Sequence, residues 1–384
     1  MTTPDGELAL LRAGGARDLS TGVAEGPGGR PRPAPSVHTV TRSCCLLALL
    51  AAACAAALLG APTAVADPLP TAVVALGDSA ASGEGAGDYE PGTRGESGNW
   101  CHRSAHAFVH RTGLATESVN LACSGAEAAN VAFGGATHYT EGSQAQRLVD
   151  VAARYRVTTV VVQVGANDDV ALTATGIACI RAFLDPTEPP CRTTIGPLVA
   201  ERMAATAAKV EPAVRDVQEA MRRAGYADGG YDLVLASYAS PVTEQMVPLQ
   251  GARGCPFSRA DAGWGRTVLF PALSETLRGV AERTGARFLD MVRATEGYEA
   301  CTRTPWTQEW QRRITVDPET LVYGGLDAVG YHLAQESFHP TAMAHAEMGR
   351  CIGEFVRSDS PGGACVVGAD GRLHLASSAP VSAA

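Results

Sequence analysis

The stretch Val73-Val74-Ala75-Leu76-Gly77-Asp78-Ser79-Ala80-Ala81-Ser82-Gly83 decides how this chain is read. Its apolar, partly β-branched first half has the length of a buried strand, and it stops abruptly at Gly77-Asp78-Ser79, before small residues and another glycine. That sets a serine just past the carboxyl end of a strand, where open α/β sheets hold their ligands. Such a serine is a nucleophile candidate only when a histidine and oxyanion donors stand elsewhere in the chain. Alone, a serine-glycine cluster after a strand is more often a plain turn.

Outward from this stretch, apolar runs alternate with helical patterns, the signature of parallel α/β layers. Strands are predicted at 71–76, 118–122, 158–164, 231–237 and 287–291, and helices at 104–111, 144–155, 197–224, 267–283 and 341–356. Five strands fit one doubly wound parallel sheet. The long irregular pieces 83–99, 171–192, 241–261 and 294–328 exceed ordinary connections and are the expected walls of a substrate cleft. The end, 362–384, is small and polar apart from Cys365-Val366-Val367 and reads as a loose C-terminal tail, which leaves 67–361 as the catalytic domain.

With 384 residues, 46% of them hydrophobic and 18% charged, the chain can bury a full core. A net charge of -9 argues against binding a nucleic-acid backbone. Residues 1–41 are rich in Gly, Pro, Ala and Arg without any period and read as disordered. Arg42, the uncharged run 44–59 and Ala64-Val65-Ala66 then read as a secretory signal cleaved after Ala66, with 1–66 removed from the exported protein. The 41 residues ahead of that signal fit initiation downstream of Met1. A retained membrane anchor and a lipoprotein cysteine at Cys54 are rival readings; the run is short for a bilayer, and Ala51 stands where lipoprotein signals usually have leucine.

Beyond the signal stand eight cysteines, Cys101, Cys123, Cys179, Cys191, Cys255, Cys301, Cys351 and Cys365. An even count in an exported chain points to four disulfides, whose pairing spacing alone leaves open. No C-x-x-C occurs, so a zinc ribbon or redox pair is not expected. Neither metal nor cofactor is expected.

Three further motifs bear on chemistry. In Glu336-Ser337-Phe338-His339-Pro340, a turn lets the Glu336 carboxylate reach one ring nitrogen of His339 while the other faces outward, as a general base requires. Leu121-Ala122-Cys123-Ser124-Gly125-Ala126 follows a predicted strand, and Gly125 allows its backbone N–H to approach a ligand closely. Val164-Gly165-Ala166-Asn167-Asp168 follows another and offers the Asn167 amide. With the Ser79 N–H these make three donors for one developing oxyanion. Taken singly, each is a common turn.

Taken together, Gly77-Asp78-Ser79, Gly125, the Gly-x-Asn-Asp of 165–168 and acid-x-x-His-Pro near the end resemble the four blocks of the SGNH (GDSL-type) hydrolases. The sequence from Ser82 to Tyr89, Trp100-Cys101-His102-Arg103-Ser104 and 336–340 resemble the secreted actinobacterial lipase/esterase branch. The similarity spans about 71–351. It implies a three-layer α/β/α, flavodoxin-like domain and ester hydrolysis through an acyl-enzyme without metal. It further implies Ser79 as nucleophile, His339 as base, and Ser79, Gly125 and Asn167 as the oxyanion hole. Glu336 stands where the family usually has aspartate, and some relatives orient their histidine with a backbone carbonyl instead. The resemblance also implies the bridges Cys101–Cys123, Cys179–Cys191 and Cys255–Cys301 and, extended to the last two cysteines, Cys351–Cys365.

The expected partner is a small-molecule or lipid ester, with transient contact at a lipid interface, no nucleic acid, and nothing that requires more than a monomer. Two alternatives are a polysaccharide or cell-wall O-acetyl esterase of the same fold and a non-catalytic exported binding protein. His102, His106 and His110 would share one face of a helix, but zinc spacing with a carboxylate is lacking. Glu84 and Asp88 invite a glycosidase reading, and 83–87 superficially suggests a nucleotide loop; neither pattern is complete.

Overall fold

Strand β1 (Thr71–Gly77) is buried from Ala72 onward, and its alternating side chains feed two separate cores. Val74 and Leu76 face one side, against Leu148, Val214, Val217, Leu273 and Leu277. Val73 and Ala75 face the other, against Phe108, Met348, Ile352 and Phe355. Each fully buried aliphatic side chain of this kind is worth about 1.5–3 kcal/mol. A strand apolar on both faces therefore sits in the middle of a three-layer sandwich. The computed structural model describes residues 68–134 and 137–377, so the signal segment 1–66 lies outside the described residues.

The remaining strands are β2 (Glu117–Asn120), β3 (Arg156–Gln163), β4 (Asp232–Ala236), β5 (Arg287–Asp290), β6 (Gly362–Val367) and β7 (Leu373–Ala376). They form one sheet in the order β2-β1-β3-β4-β5-β6-β7. Val74 lies opposite Val119 of β2 and Val160 of β3, both parallel. The order reverses at β1, so the crevice between the ends of β1 and β3 is the switch point at which such sheets bind ligands. Helices α1 (Ser79–Ser82), α2 (Gln144–Ala152), α3 (Leu172–Leu184), α4 (Val199–Arg223), α5 (Phe270–Thr284) and α6 (Ala342–Arg357) follow in chain order. The first core takes side chains from α2, α4 and α5, and the second takes them from α6.

The sheet has seven strands, not the five expected, and β7 is antiparallel to β6. The segment read as a tail from 362 supplies both extra strands. Its small residues are a packing requirement: a Cβ on Gly363 would lie 2.7 Å from Leu375 Cδ1 and 3.0 Å from Phe355 Cδ2. Two other expectations change. Only Phe108–Arg111 of the predicted helix 104–111 is helical, as a 3₁₀ turn, and the predicted loop 171–192 contains α3.

Candidate active site

Ser79 owes its place to what precedes it. Gly77 has φ +135°, and a Cβ there would fall 1.9 Å from the Gln163 carbonyl oxygen, so β1 can end against β3 only with glycine. Gln144 holds this end from the side: Gly77 N donates to its Oε1 at 2.7 Å, and its Nε2 donates to Gly77 O at 2.8 Å. Asp78 then caps α1, its Oδ1 accepting from Ala80 N at 3.1 Å. That makes Ser79 the first residue of the helix. Tyr238 Oη donates to Asp78 Oδ2 at 2.5 Å, and Asp168 Oδ2 accepts from Ala128 N at 3.1 Å. Burial pushes the Asp78 carboxyl up to about 7 and that of Asp168 up to about 6. Both acids tie loops together.

His339 arrives from the other end of the chain. Phe338, at φ +60°, turns the backbone so that the ring enters the crevice. His339 Nε2 lies 2.8 Å from Ser79 Oγ, and Nδ1 lies 3.1 Å from the Ser337 carbonyl. A carbonyl can only accept, so Nδ1 carries the proton and Nε2 presents its lone pair to the serine. Burial holds the imidazole below the usual histidine range, opposed by the nearby Glu84 charge. The ring is therefore neutral and ready to take a proton near neutral pH.

The Glu336 carboxylate does not make the contact with His339 that its spacing suggested. Tyr89 Oη donates to Glu336 Oε1 at 2.6 Å, and Arg312 Nη2 lies 3.6 Å from Oε2. The turn 335–339 points the Glu336 side chain toward these groups and leaves the Ser337 carbonyl facing Nδ1. A backbone oxygen orients the histidine.

The expected donors follow the ends of three neighbouring strands, β2, β1 and β3. Among the described residues no acceptor meets the Ser79 or Gly125 backbone N–H. Asn167 Nδ2 donates to Ala126 O at 3.0 Å, which fixes its amide beside the Gly125 loop. Gly125 has φ +80°, and a Cβ there would meet His138 Nε2 at 3.3 Å. The bridge Cys101–Cys123 anchors this loop to the segment following the nucleophile. Closing a 22-residue separation restricts the unfolded chain by roughly 3 kcal/mol. The other bridges are Cys179–Cys191, Cys255–Cys301 and Cys351–Cys365, so the three pairs that the resemblance implies form, and the two cysteines left over make the fourth.

Beside Ser79 and His339 opens a cavity of about 440 Å³, with Asn167 in its wall. Its apolar lining includes Ile180 of α3, Phe257, Trp264, Phe270, Ile314 and Phe338. Ile180, Phe257 and Ile314 come from three of the four long pieces expected as walls, and two bridges pin those pieces. Trp310, by contrast, is core, and Trp306 is exposed. Behind the dyad lies a polar cluster that sequence reasoning missed. Glu84 is fully buried with both carboxylate oxygens 3.0 Å from His102 Nδ1. The histidines 102, 106 and 110 are dispersed: His106 faces Arg111 and His110 faces Ser118. Among the described residues no group of His, Cys, Asp or Glu is arranged to hold a metal ion. A buried Glu in a glycine-rich loop was the one available signal for the cluster.

A serine and a neutral histidine in contact at the switch point of a flavodoxin-like sheet, flanked by unpaired donors and an apolar cavity, form a site suited to acyl transfer. Residues 75–346 match the GDSL-like Lipase/Acylhydrolase family. The chain belongs to that family and is a carboxylic ester hydrolase. Its fold is similar to that of an extracellular lipase from Streptomyces rimosus, with 19% identity and a TM-score of 0.44, over 76% of this chain and 100% of that one. It is also similar to phospholipase A1 from Streptomyces albidoflavus NA297, with 18% identity and a TM-score of 0.43, over 76% and 100%. A carbohydrate acetylesterase from Sinorhizobium meliloti follows, with 11% identity and a TM-score of 0.35, over 75% and 99%. No curated protein matches the sequence.

Proposed function

We propose that this protein is a secreted lipase or esterase that cleaves fatty-acyl esters through a Ser79 acyl-enzyme, with His339 as general base. The observation that carries the reading is the 2.8 Å contact between His339 Nε2 and Ser79 Oγ beside an apolar cavity of about 440 Å³. His339 takes the Ser79 proton as Oγ attacks the ester carbonyl carbon. The carbonyl oxygen becomes an oxyanion among the N–H groups of Ser79 and Gly125 and the Asn167 amide. Collapse breaks the ester bond, and the imidazolium returns its proton to the departing alcohol. Water, deprotonated by the same histidine, then attacks the acyl-enzyme, and the acid leaves with Ser79 restored.

An acyl chain suits the cavity because its lining is apolar and offers few polar groups to a sugar. At the mouth, Ile177, Ile314 and Tyr331 are 44%, 40% and 50% exposed. Such a rim favours brief contact with a lipid surface, where the substrate resides. Polysaccharide deacetylation would leave most of the cavity empty, and non-catalytic binding would leave the Ser79–His339 contact without a use. Export is supported by the four disulfides, which an oxidising compartment sustains.

A panel of chromogenic esters from acetate to palmitate tests the reading, alongside covalent labelling with a fluorophosphonate. The expected result is a kcat/KM that rises with chain length beyond acetate, and a label on Ser79. Preference for acetate, or labelling at another serine, overturns it.

A further inference from the structure

Glu84 gathers the three parts of the site on one buried carboxylate. Its Oε2 accepts from Gln335 Nε2 at 2.8 Å, its Oε1 lies 3.2 Å from Tyr89 Oη, whose proton goes to Glu336, and both oxygens lie 3.0 Å from His102 Nδ1. Gln335 belongs to the turn that carries His339. The same Nε2 lies 2.8 Å from Ser124 Oγ, next to Gly125, and 3.1 Å from Trp100 O, next to the Cys101–Cys123 bridge. Glu84 itself lies in the loop that follows Ser79. Nucleophile, oxyanion loop and base turn thus share one hub.

The hub also lies against the base. A Cβ on Gly85 would fall 2.8 Å from His339 Cβ, so the chain following Glu84 runs directly against that histidine. Arg312 locks the approach, its Nε donating to Gly85 O at 2.7 Å and its N to His339 O at 2.9 Å. Burying a carboxylate costs several kcal/mol unless ion pairing and hydrogen bonds compensate it. Despite desolvation, His102 and the surrounding donors hold the Glu84 carboxyl down at about 2, and His102 is held above the usual histidine range. Glu84 is therefore a permanent negative charge over the pH range in which esters are hydrolysed enzymatically.

We propose that Glu84 is the positioning carboxylate of this enzyme: through Gln335 it orients the His339 turn, and its charge stabilises the imidazolium formed during acyl transfer. This rests on the Ser79–His339 reading above. No proton passes to Glu84; His339 Nε2 gains the Ser79 proton and gives it to the leaving alcohol, while Glu84 remains ionised. Glu336 was expected to touch the ring itself; Glu84 acts at one remove, through Gln335 and its charge, while Ser337 O holds Nδ1. The other charged or titratable groups around Glu84 and His339 include His102 with Asp317 acting on it, Tyr89, Tyr139 and Tyr331, Glu336 with Arg312 beside it, and His345. Burial holds His345 down at about 3, so it is uncharged. Glu84 and His102 therefore act on His339 in opposite senses, and the Glu84 influence is the larger.

The experiment is the pH profile of kcat/KM on a soluble ester for the wild type, E84Q, H102Q and E336Q, normalised to sites titrated with a fluorophosphonate. In E84Q both opposed charges vanish, the imidazolium loses its larger support, and the acidic limb moves down by roughly one pH unit with about a tenfold loss of kcat. In H102Q the glutamine amide donates to Glu84 in place of the imidazole, so the carboxylate keeps its hydrogen bonds and stays ionised without the opposing cation, and the limb moves up. E336Q leaves the limb in place. Unmoved limbs in both E84Q and H102Q, per titrated site, overturn the proposal and leave Glu84 a structural support. If E84Q does not fold, the direction in H102Q decides. Failure of the wild type to be labelled at Ser79 refutes the underlying dyad instead, so the two failures are distinct.

Discussion

The two sides of the Ser79–His339 pair are built on opposite principles. Behind it, Glu84, His102, Tyr89, Gln335 and Ser124 form a buried polar network from segments up to 251 residues apart. In front, much of the cavity wall is apolar, with Ile180, Phe257, Phe270, Ile314 and Phe338 among its side chains, which form no hydrogen bonds. Hydrogen bonds fix angles and so suit the side that must hold a proton-transfer geometry. Apolar walls accept any conformer of an alkyl chain, which suits the side that meets the acyl group. Rigidity and tolerance are thus divided across one pair of residues.

The largest test removes the junction between the two sides. Ser79→Ala should lower kcat by about 10⁶-fold while the protein remains folded, as read by ester turnover and circular dichroism. Turnover within an order of magnitude of wild type would mean that the chemistry lies elsewhere. Next, Asn167→Ala should cost about 10²–10³ in kcat with KM little changed, because the amide acts on charge that develops only after attack. An effect confined to KM would move Asn167 to the binding side.

A charge placed in the front wall sharpens the contrast further. Ile180→Asp should reduce kcat/KM for long-chain esters by about 100-fold and leave acetate esters within about threefold, since only a long acyl chain meets that wall. Equal losses on both substrates would show that the two sides are mechanically coupled. The smallest effect concerns stability at the polar root of the site. Burial pushes the Asp78 and Asp168 carboxyls up to about 7 and about 6, above the ordinary 3.8. Folding thus favours their protonated forms, and this stabilisation, complete below about pH 4, is lost as pH rises toward 7. Asp78→Asn keeps a cap and removes one titration, so its Tm should vary less between pH 4 and 8 than that of the wild type. Parallel Tm curves would show that Asp78 is ionised in the fold.

Much of the site was legible before any coordinates because the motifs sit at strand ends, where local pattern and chemistry coincide. A run such as 73–76 declares a doubly buried strand by composition, and the glycine after it declares a close approach. The motifs holding Ser79, Gly125, Asn167 and His339 are short, and each alone is a common turn; their joint order along the chain is what resembles a hydrolase and marks them as candidates. Glu336 misled for the same reason: three-residue spacing is compatible with a contact but does not set the side chain's direction, which Tyr89 and Arg312 decided.

What the sequence by itself determined is therefore the alternation of layers and the ends of the first strands, which follow from periodicity and from glycines with singular backbone freedom, while the joint order of four motifs marked the candidate reacting groups. Only the tertiary structure decided which carboxylate stands behind His339, that the terminal segment completes the sheet as β6 and β7, and how the long loops enclose an apolar cavity. Each of these depends on segments distant in the chain meeting at atomic distance. Burial and pairing are properties of that meeting, and no local pattern encodes them.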